Sequence, residues 1–188
     1  DVTFLPEHKR AKYLGIVYQD PLQGTVANMS VIENLLIASR KNKKKTFKWG
    51  FNKIKVNELK DKLKDLDLGL ENRIYQKIGI LSGGQRQAIT LLMATLTNPK
   101  LLLLDEHTAA LDPKTAKIVL DLTEKIVSTN KITTIMVTHN MRDALKYGNR
   151  IIMLNNGKVI LDVKGEEKTK LTINDLLKKF EDLTYSLS

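Results

Sequence analysis

Leu81-Ser82-Gly83-Gly84-Gln85-Arg86-Gln87-Ala88 is followed by Leu101-Leu102-Leu103-Leu104-Asp105-Glu106, with Asp105 standing 23 residues after Ser82. A serine before two glycines and a helix-compatible run marks a helix start. Unpaired backbone N–H groups and the helix dipole favour an anion such as phosphate there, and glycine lets that anion approach the backbone closely. The apolar run reads as a strand of the kind buried on both faces of a parallel sheet. It ends in two carboxylates at the edge where such sheets place their ligands. Ser-Gly-Gly alone describes any serine-capped helix after a glycine turn, and an acidic pair alone can cap the next helix. Together, at this spacing, the two strings point to a nucleoside triphosphate. Yet no G-x-x-x-x-G-K-[ST] loop, the usual cradle for a triphosphate, occurs anywhere in the sequence.

On the N-terminal side, Leu14 to Tyr18 is a short strand ended by Gln19-Asp20-Pro21. Ser30 caps a helix running to about Arg40, with Glu33 completing a capping box. A second helical pattern covers about Asn52 to Leu66, with Ile54, Leu59, Leu63 and Leu66 as its apolar positions and Gly69 closing it. Ser82 caps a third helix, about Gly84 to Leu96, stopped by Asn98-Pro99. Beyond the Leu101 strand, Asp112-Pro113 opens a helix to about Ser128. Ile132 to Thr138 is a β-branched strand, and Asn140 caps a short helix ending at Gly148. Arg150 to Leu154 and Lys158 to Val163 flank Asn155-Asn156-Gly157, a hairpin signal, before an amphipathic helix from Thr172 to Leu183. Alternating strands and helices predict an α/β fold with a mainly parallel sheet.

The length of 188 residues suits one domain with a real core, and 42% hydrophobic with 28% charged residues suits a globular protein. The absence of cysteine excludes a disulfide framework and a cysteine-ligated metal. No apolar run approaches the roughly 20 residues that cross a bilayer, and no secretory signal opens the chain. The chain begins Asp1-Val2-Thr3 without a methionine, which reads as a truncated start. The net charge of +10 suits an anionic membrane surface or nucleic acid. Much of it crowds into Arg40, Lys41, Lys43, Lys44, Lys45 and Lys48, either a solvated helix end and loop or a patch near lipid head groups. Only 5% of residues are aromatic, and none interleaves with this run to form a base-stacking surface.

The candidate site residues follow from strand ends. Asp105 is placed to hold Mg²⁺ and Glu106 to orient and deprotonate an attacking water. Gln19, after its own strand, offers a neutral amide to the same metal. His139 follows the next apolar strand, where it can contact a γ-phosphate and hold the water against Glu106. Alone, that histidine would read as a capping or core residue and that glutamine as a turn residue.

These residues, in this order, resemble the ATP-binding subunit of an ATP-binding-cassette (ABC) transporter, from the first residues to about Val163. Gln19 matches the Q-loop glutamine, Leu81 to Gln85 the signature motif, and Leu101 to Asp105 the Walker B strand. Glu106 matches the catalytic glutamate, Ala110-Leu111-Asp112 the D-loop and His139 the switch histidine. The resemblance implies a partial P-loop NTPase core plus an α-helical subdomain, with the P-loop strand and the antiparallel β subdomain missing. It divides one truncated domain into residues 1–24 (strand and Q-loop), 25–96 (helical subdomain with the signature motif) and 97–188 (the rest of the core).

The resemblance also implies ATP and Mg²⁺ as cofactors and a head-to-tail homodimer of ATPase domains. Ser82, Gly83, Gly84 and Gln85 would then bind the γ-phosphate of the partner's ATP, and Asp112 would communicate across the dimer. A transmembrane permease subunit would dock on the helical subdomain and Q-loop, a solute-binding protein would deliver the solute, and nucleic acid is not a partner. The protein would sit peripherally on the cytoplasmic face of the cell membrane, energising import of amino acids or related small solutes. The sequence departs from the family pattern in lacking the P-loop, so the fragment alone is expected to be inactive. It also departs at His107, where the family's D-E-P-T reads D-E-H-T, a change expected to alter only the turn. The alternative is a soluble ABC-type ATPase acting on nucleic acid in repair or translation. The spacing of 63 residues between Gln19 and Ser82 argues against it, because repair members carry a long coiled coil there.

Overall fold

The computed structural model describes residues 1–41 and 53–184. Contacts divide the chain after Val137 into two compact units, each described by itself. The first opens with a single helical turn, α1 (Glu7–Arg10), and then strand β1 (Leu14–Val17). Helices α2 (Val31–Ser39), α3 (Lys53–Lys64) and α4 (Gly83–Thr95) follow. Strand β2 (Leu101–Asp105), helix α5 (Pro113–Asn130) and strand β3 (Thr133–Val137) complete the unit.

The three strands form a parallel sheet in the order β1-β2-β3, so the acid-tipped strand is central. Its register aligns Val17, Leu104 and Met136 on one row and Ile16, Leu103 and Ile135 on the next. Alternate rows face opposite ways. Val17, Leu102 and Leu104 are buried and join a core with Val31, Ile32 and Leu35 of α2, Leu59 and Leu63 of α3, and Ile89 and Leu91 of α4. On the other face Ile16, Ile135 and Val137 are 38%, 54% and 53% exposed. The expectation that the strand of Leu101 to Leu104 is buried on both faces holds in part: Leu102 and Leu104 are buried, whereas Leu101 and Leu103 on the other face are half-buried. Among the described residues one face is packed by helices, and a continuous apolar run carries no alternation from which that asymmetry could be read.

Local signals hold at most helix starts. Ser30 accepts from the Glu33 N–H, and the Glu33 carboxylate accepts from the Ser30 N–H at 2.7 Å, a complete capping box. Asp112 caps α5 through the Thr115 N–H, with proline at the first helical position. Two local expectations fail at α3. The helix stops at Lys64 and Asp67 takes the first left-handed backbone (φ 54°), so Gly69 (φ 67°) introduces the next turn instead of closing the helix. Ile54 is 68% exposed, because the buried stripe of α3 needs only Leu59 and Leu63.

The basic run resolves differently at its start. Lys41 is half-buried, and its Nζ donates to the Leu14 carbonyl of β1 at 2.5 Å. Burial lowers its pKa. Lys41 is thus tied to the sheet and is not part of a solvated patch, while Lys43, Lys44, Lys45 and Lys48 lie outside the described residues.

The second unit, from Thr138 onward, carries α6 (Met141–Lys146), the antiparallel pair β4 (Arg150–Asn155) and β5 (Lys158–Lys164), α7 (Glu166–Lys170) and α8 (Ile173–Thr184). Asn140 caps α6 by accepting from the N–H groups of Arg142 and Asp143. Asn156 (φ 48°) and Gly157 (φ 74°) supply the two left-handed residues that a tight hairpin of this twist demands. Lys168, nearly buried, donates to the carbonyls of Tyr147 and Gly148 at 2.6 and 2.7 Å and so satisfies acceptors just past the end of α6.

Candidate nucleotide site

Three of the expected residues share one edge of the sheet. Parallel strands end together, and Val17 of β1 pairs with Leu104 of β2. Gln19, two residues past β1, therefore lies at the edge that carries Asp105 and Glu106. Asp105 is exposed and pairs with Val137, and Glu106 is half-buried. Glu106 leaves the strand with φ 43°, its N–H donating to the Val137 carbonyl at 3.1 Å and its carbonyl accepting from Ala109 N–H at 2.9 Å. Left-handed backbone at a residue other than glycine costs on the order of 1 kcal/mol or more and marks sites held by their surroundings. No group of three or more His, Asp and Glu side chains gathers as a metal-ligand set among the described residues. Mg²⁺ keeps several waters and takes one or two protein ligands beside substrate phosphates. An exposed strand-end carboxylate and a nearby amide are a donor set of that kind.

The second cluster lies at the start of α4. Ser82 is the N-cap, its Oγ accepting from Gln85 N–H and the Gln85 Oε1 accepting from Ser82 N–H, each at 3.3 Å. The capping bond leaves the Ser82 hydroxyl proton available to a ligand. Gly83 and Gly84 occupy the first helical positions, whose N–H groups have no intrahelical acceptor. Gln85 is further braced by Arg73 Nη1 at 3.4 Å and by its own Nε2 donating to the Leu68 carbonyl at 3.3 Å. A Cβ at Gly84 would meet Thr115 Cγ2 at 2.2 Å, and one at Gly83 would meet Leu111 Cδ2 at 3.1 Å. The glycines thus admit the start of α5, where Asp112 sits, as well as any anion. The Asp112 carboxyl lies below its ordinary pKa because the Thr115 side chain and backbone donate to it. His139 lies in the second unit, exposed, between Thr138 and Asn140.

A family profile described as ABC transporter matches residues 1–109. A tyrosine transport ATP-binding protein of Clostridioides difficile (strain R20291) is 49% identical over 180 residues, covering 96% of this chain and 71% of that protein. The chain belongs to the ABC transporter family. A probable branched-chain amino acid transport ATP-binding protein of Archaeoglobus fulgidus is 35% identical over 97% of the chain and 71% of its own length. The crystal structure of the ADP conformation of an ATP-binding cassette of an ABC transporter superposes with a TM-score of 0.70 at 25% identity, covering 93% of this chain and 70% of that one. The α/β cassette fold and the ATPase class are those of this family. Both relatives are named for transport, not for work on nucleic acid. No helix among the described residues is long and apolar enough to cross a membrane.

Several residues of this ABC ATPase carry site geometry that sequence reading missed. Gln87 is 1% exposed and its Nε2 donates to the Tyr18 carbonyl at 3.3 Å, joining α4 to the residue before Gln19. Gly15 and Gly24 approach α4 at Ala94 and Thr90. A glycine inside a strand, Gly15, was an available signal; Gln87, beside Gln85 and Arg86, gave none.

His107 corrects an expectation. It does more than alter the turn: its ring is 2% exposed, with Nε2 3.2 Å from Thr123 Oγ1 of α5. Burial lowers its pKa from 6.5 to about 4. Between those values the unfolded chain binds a proton that the folded chain refuses, so stability is lost as pH falls from 6.5 toward 4. Urea melts across that window are expected to show a smaller loss in His107→Gln, which cannot titrate, than in the parent. An equal loss in both would show that His107 does not stay neutral in the fold.

Proposed function

We propose that this chain is the ATPase part of an importer for amino acids, and that tyrosine or a close relative is the solute. The observation that carries this reading is the 49% identity, across 96% of the chain, to a protein named for tyrosine transport. Asp105 and the Gln19 amide serve Mg²⁺, which when bound neutralises charge on the phosphates. Glu106 accepts the proton of the attacking water, and His139 holds that water and the γ-phosphate. Ser82, Gly83, Gly84 and Gln85 bind the γ-phosphate of an ATP held by a second ATPase domain arranged head to tail. Asp112 lies beside that motif and carries communication between the two sites.

Within the division into residues 1–24, 25–96 and 97–188, the helical block is the part on which a membrane permease docks, on the cytoplasmic face of the membrane. A binding protein delivers the solute from the other side. Exposed apolar side chains at Leu22, Val26 and Met29, beside the Gln19 segment, support such a docking role. Proteoliposomes holding the complete transporter test the solute. ATP-dependent uptake of labelled tyrosine, competed by phenylalanine and not by a phosphonate, is the expected result. Uptake indifferent to amino acids would overturn the assignment.

A further inference from the structure

Glu106 has a left-handed backbone, and the residue that follows it is buried. The Glu106 carbonyl accepts from Ala109 N–H at 2.9 Å and the Thr108 carbonyl from Leu111 N–H at 3.1 Å, so the chain turns sharply off β2 toward α5. His107 drives its ring into the gap, 2% exposed, and meets Thr123, 6% exposed, in the third turn of α5. Thr123 has one hydroxyl proton, and that proton goes to the Val119 carbonyl at 2.7 Å. Its oxygen can only accept from the ring, which places a proton on Nε2. Holding a glutamate at φ 43° calls for an anchor of this kind, because the left-handed form is intrinsically unfavourable.

We propose that the buried His107–Thr123 hydrogen bond is a positioning device that fixes the backbone of Glu106, and through it the carboxylate that accepts the water proton. It rests on the reading of Glu106 as that base. His107 is joined to Glu106 by one planar peptide bond, so a shift of the ring reaches the Glu106 carbonyl and Cα through only the χ2, χ1 and φ dihedrals of His107. Close packing around the imidazole prevents the loss from being absorbed by small adjustments.

The test uses the complete transporter and measures ATP turnover. Thr123→Val keeps the shape and removes the acceptor. It is expected to lower kcat about tenfold or more, since misplacing a reacting group by about 1 Å costs up to about a hundredfold, while KM for ATP is unchanged. Thr123→Ser restores turnover, and Thr123→Cys, with a weak sulfur acceptor, falls between. Single-turnover rates in a Glu106→Gln background are expected to show no further loss from Thr123→Val, because the device acts only through Glu106. Parent kcat in Thr123→Val, the absence of the graded order, or an additive loss in the Glu106→Gln background would overturn the proposal. Parent turnover in Glu106→Gln itself would overturn the base reading and this proposal with it. Loss in Glu106→Gln with parent turnover in Thr123→Val would overturn this proposal alone.

Discussion

Replacing Glu106 by glutamine in the complete transporter is expected to lower kcat for ATP hydrolysis by about 10²- to 10⁴-fold, the usual worth of a positioned general base. ATP affinity should be unchanged. The side chains are nearly isosteric, so the φ of 43° and the backbone bonds to Val137 and Ala109 persist. What changes is that an amide cannot take a proton from water at neutral pH. The loss corresponds to about 3–5 kcal/mol of transition-state stabilisation and falls on kcat, because the proton moves only in the transition state. A variant that keeps more than about a tenth of the parent rate would show that another group is the base.

Gly15→Ala is expected to destabilise the protein by about 1–3 kcal/mol, the usual cost of overpacking a core. Gly15 is buried in β1, and a Cβ there would lie 2.6 Å from the Ala94 carbonyl oxygen, 3.1 Å from Leu102 Cδ1 and 3.1 Å from Pro99 Cγ. The nearest of these is backbone and cannot rotate away. Backing α4 off the sheet would strain the Gln87 bond to the Tyr18 carbonyl and open the core beside Ile89 and Leu91. In the opposite direction, alanine lowers the entropy of the unfolded chain by about 0.4–1 kcal/mol in free energy. The clash outweighs that gain, so a net fall in melting temperature of roughly 2–10 °C follows for a chain of this size. An unchanged or higher melting temperature would mean that β1 and α4 do not approach this closely.

The helix starts were legible because caps act over three or four residues. Ser30 with Glu33, Ser82 with Gln85, Asp112 before Pro113 and Asn140 before Met141 all lie where their side chains predict. The short elements Glu7–Arg10 and Glu166–Lys170 carry too few turns to show a period and were not legible. Among the site residues, Gln19, Asp105 and Glu106 were legible as strand ends, and the parallel register gathers them at one edge. Gln87 was not, since one buried amide on a helix looks like any surface glutamine until the Tyr18 carbonyl that accepts its proton is in place.

By itself the sequence determined the family and the order of the strands and longer helices, because these rest on motifs and on interactions a few residues long. Only the tertiary structure decided that Lys41 is tied to β1, that the sheet is packed on one face among the described residues, and that His107 is a buried anchor. Each depends on groups brought together from distant parts of the chain. Lys41 meets Leu14 across 27 residues and His107 meets Thr123 across 16. Burial, which changes what a lysine or a histidine can do, is a property of that packing and not of the residue.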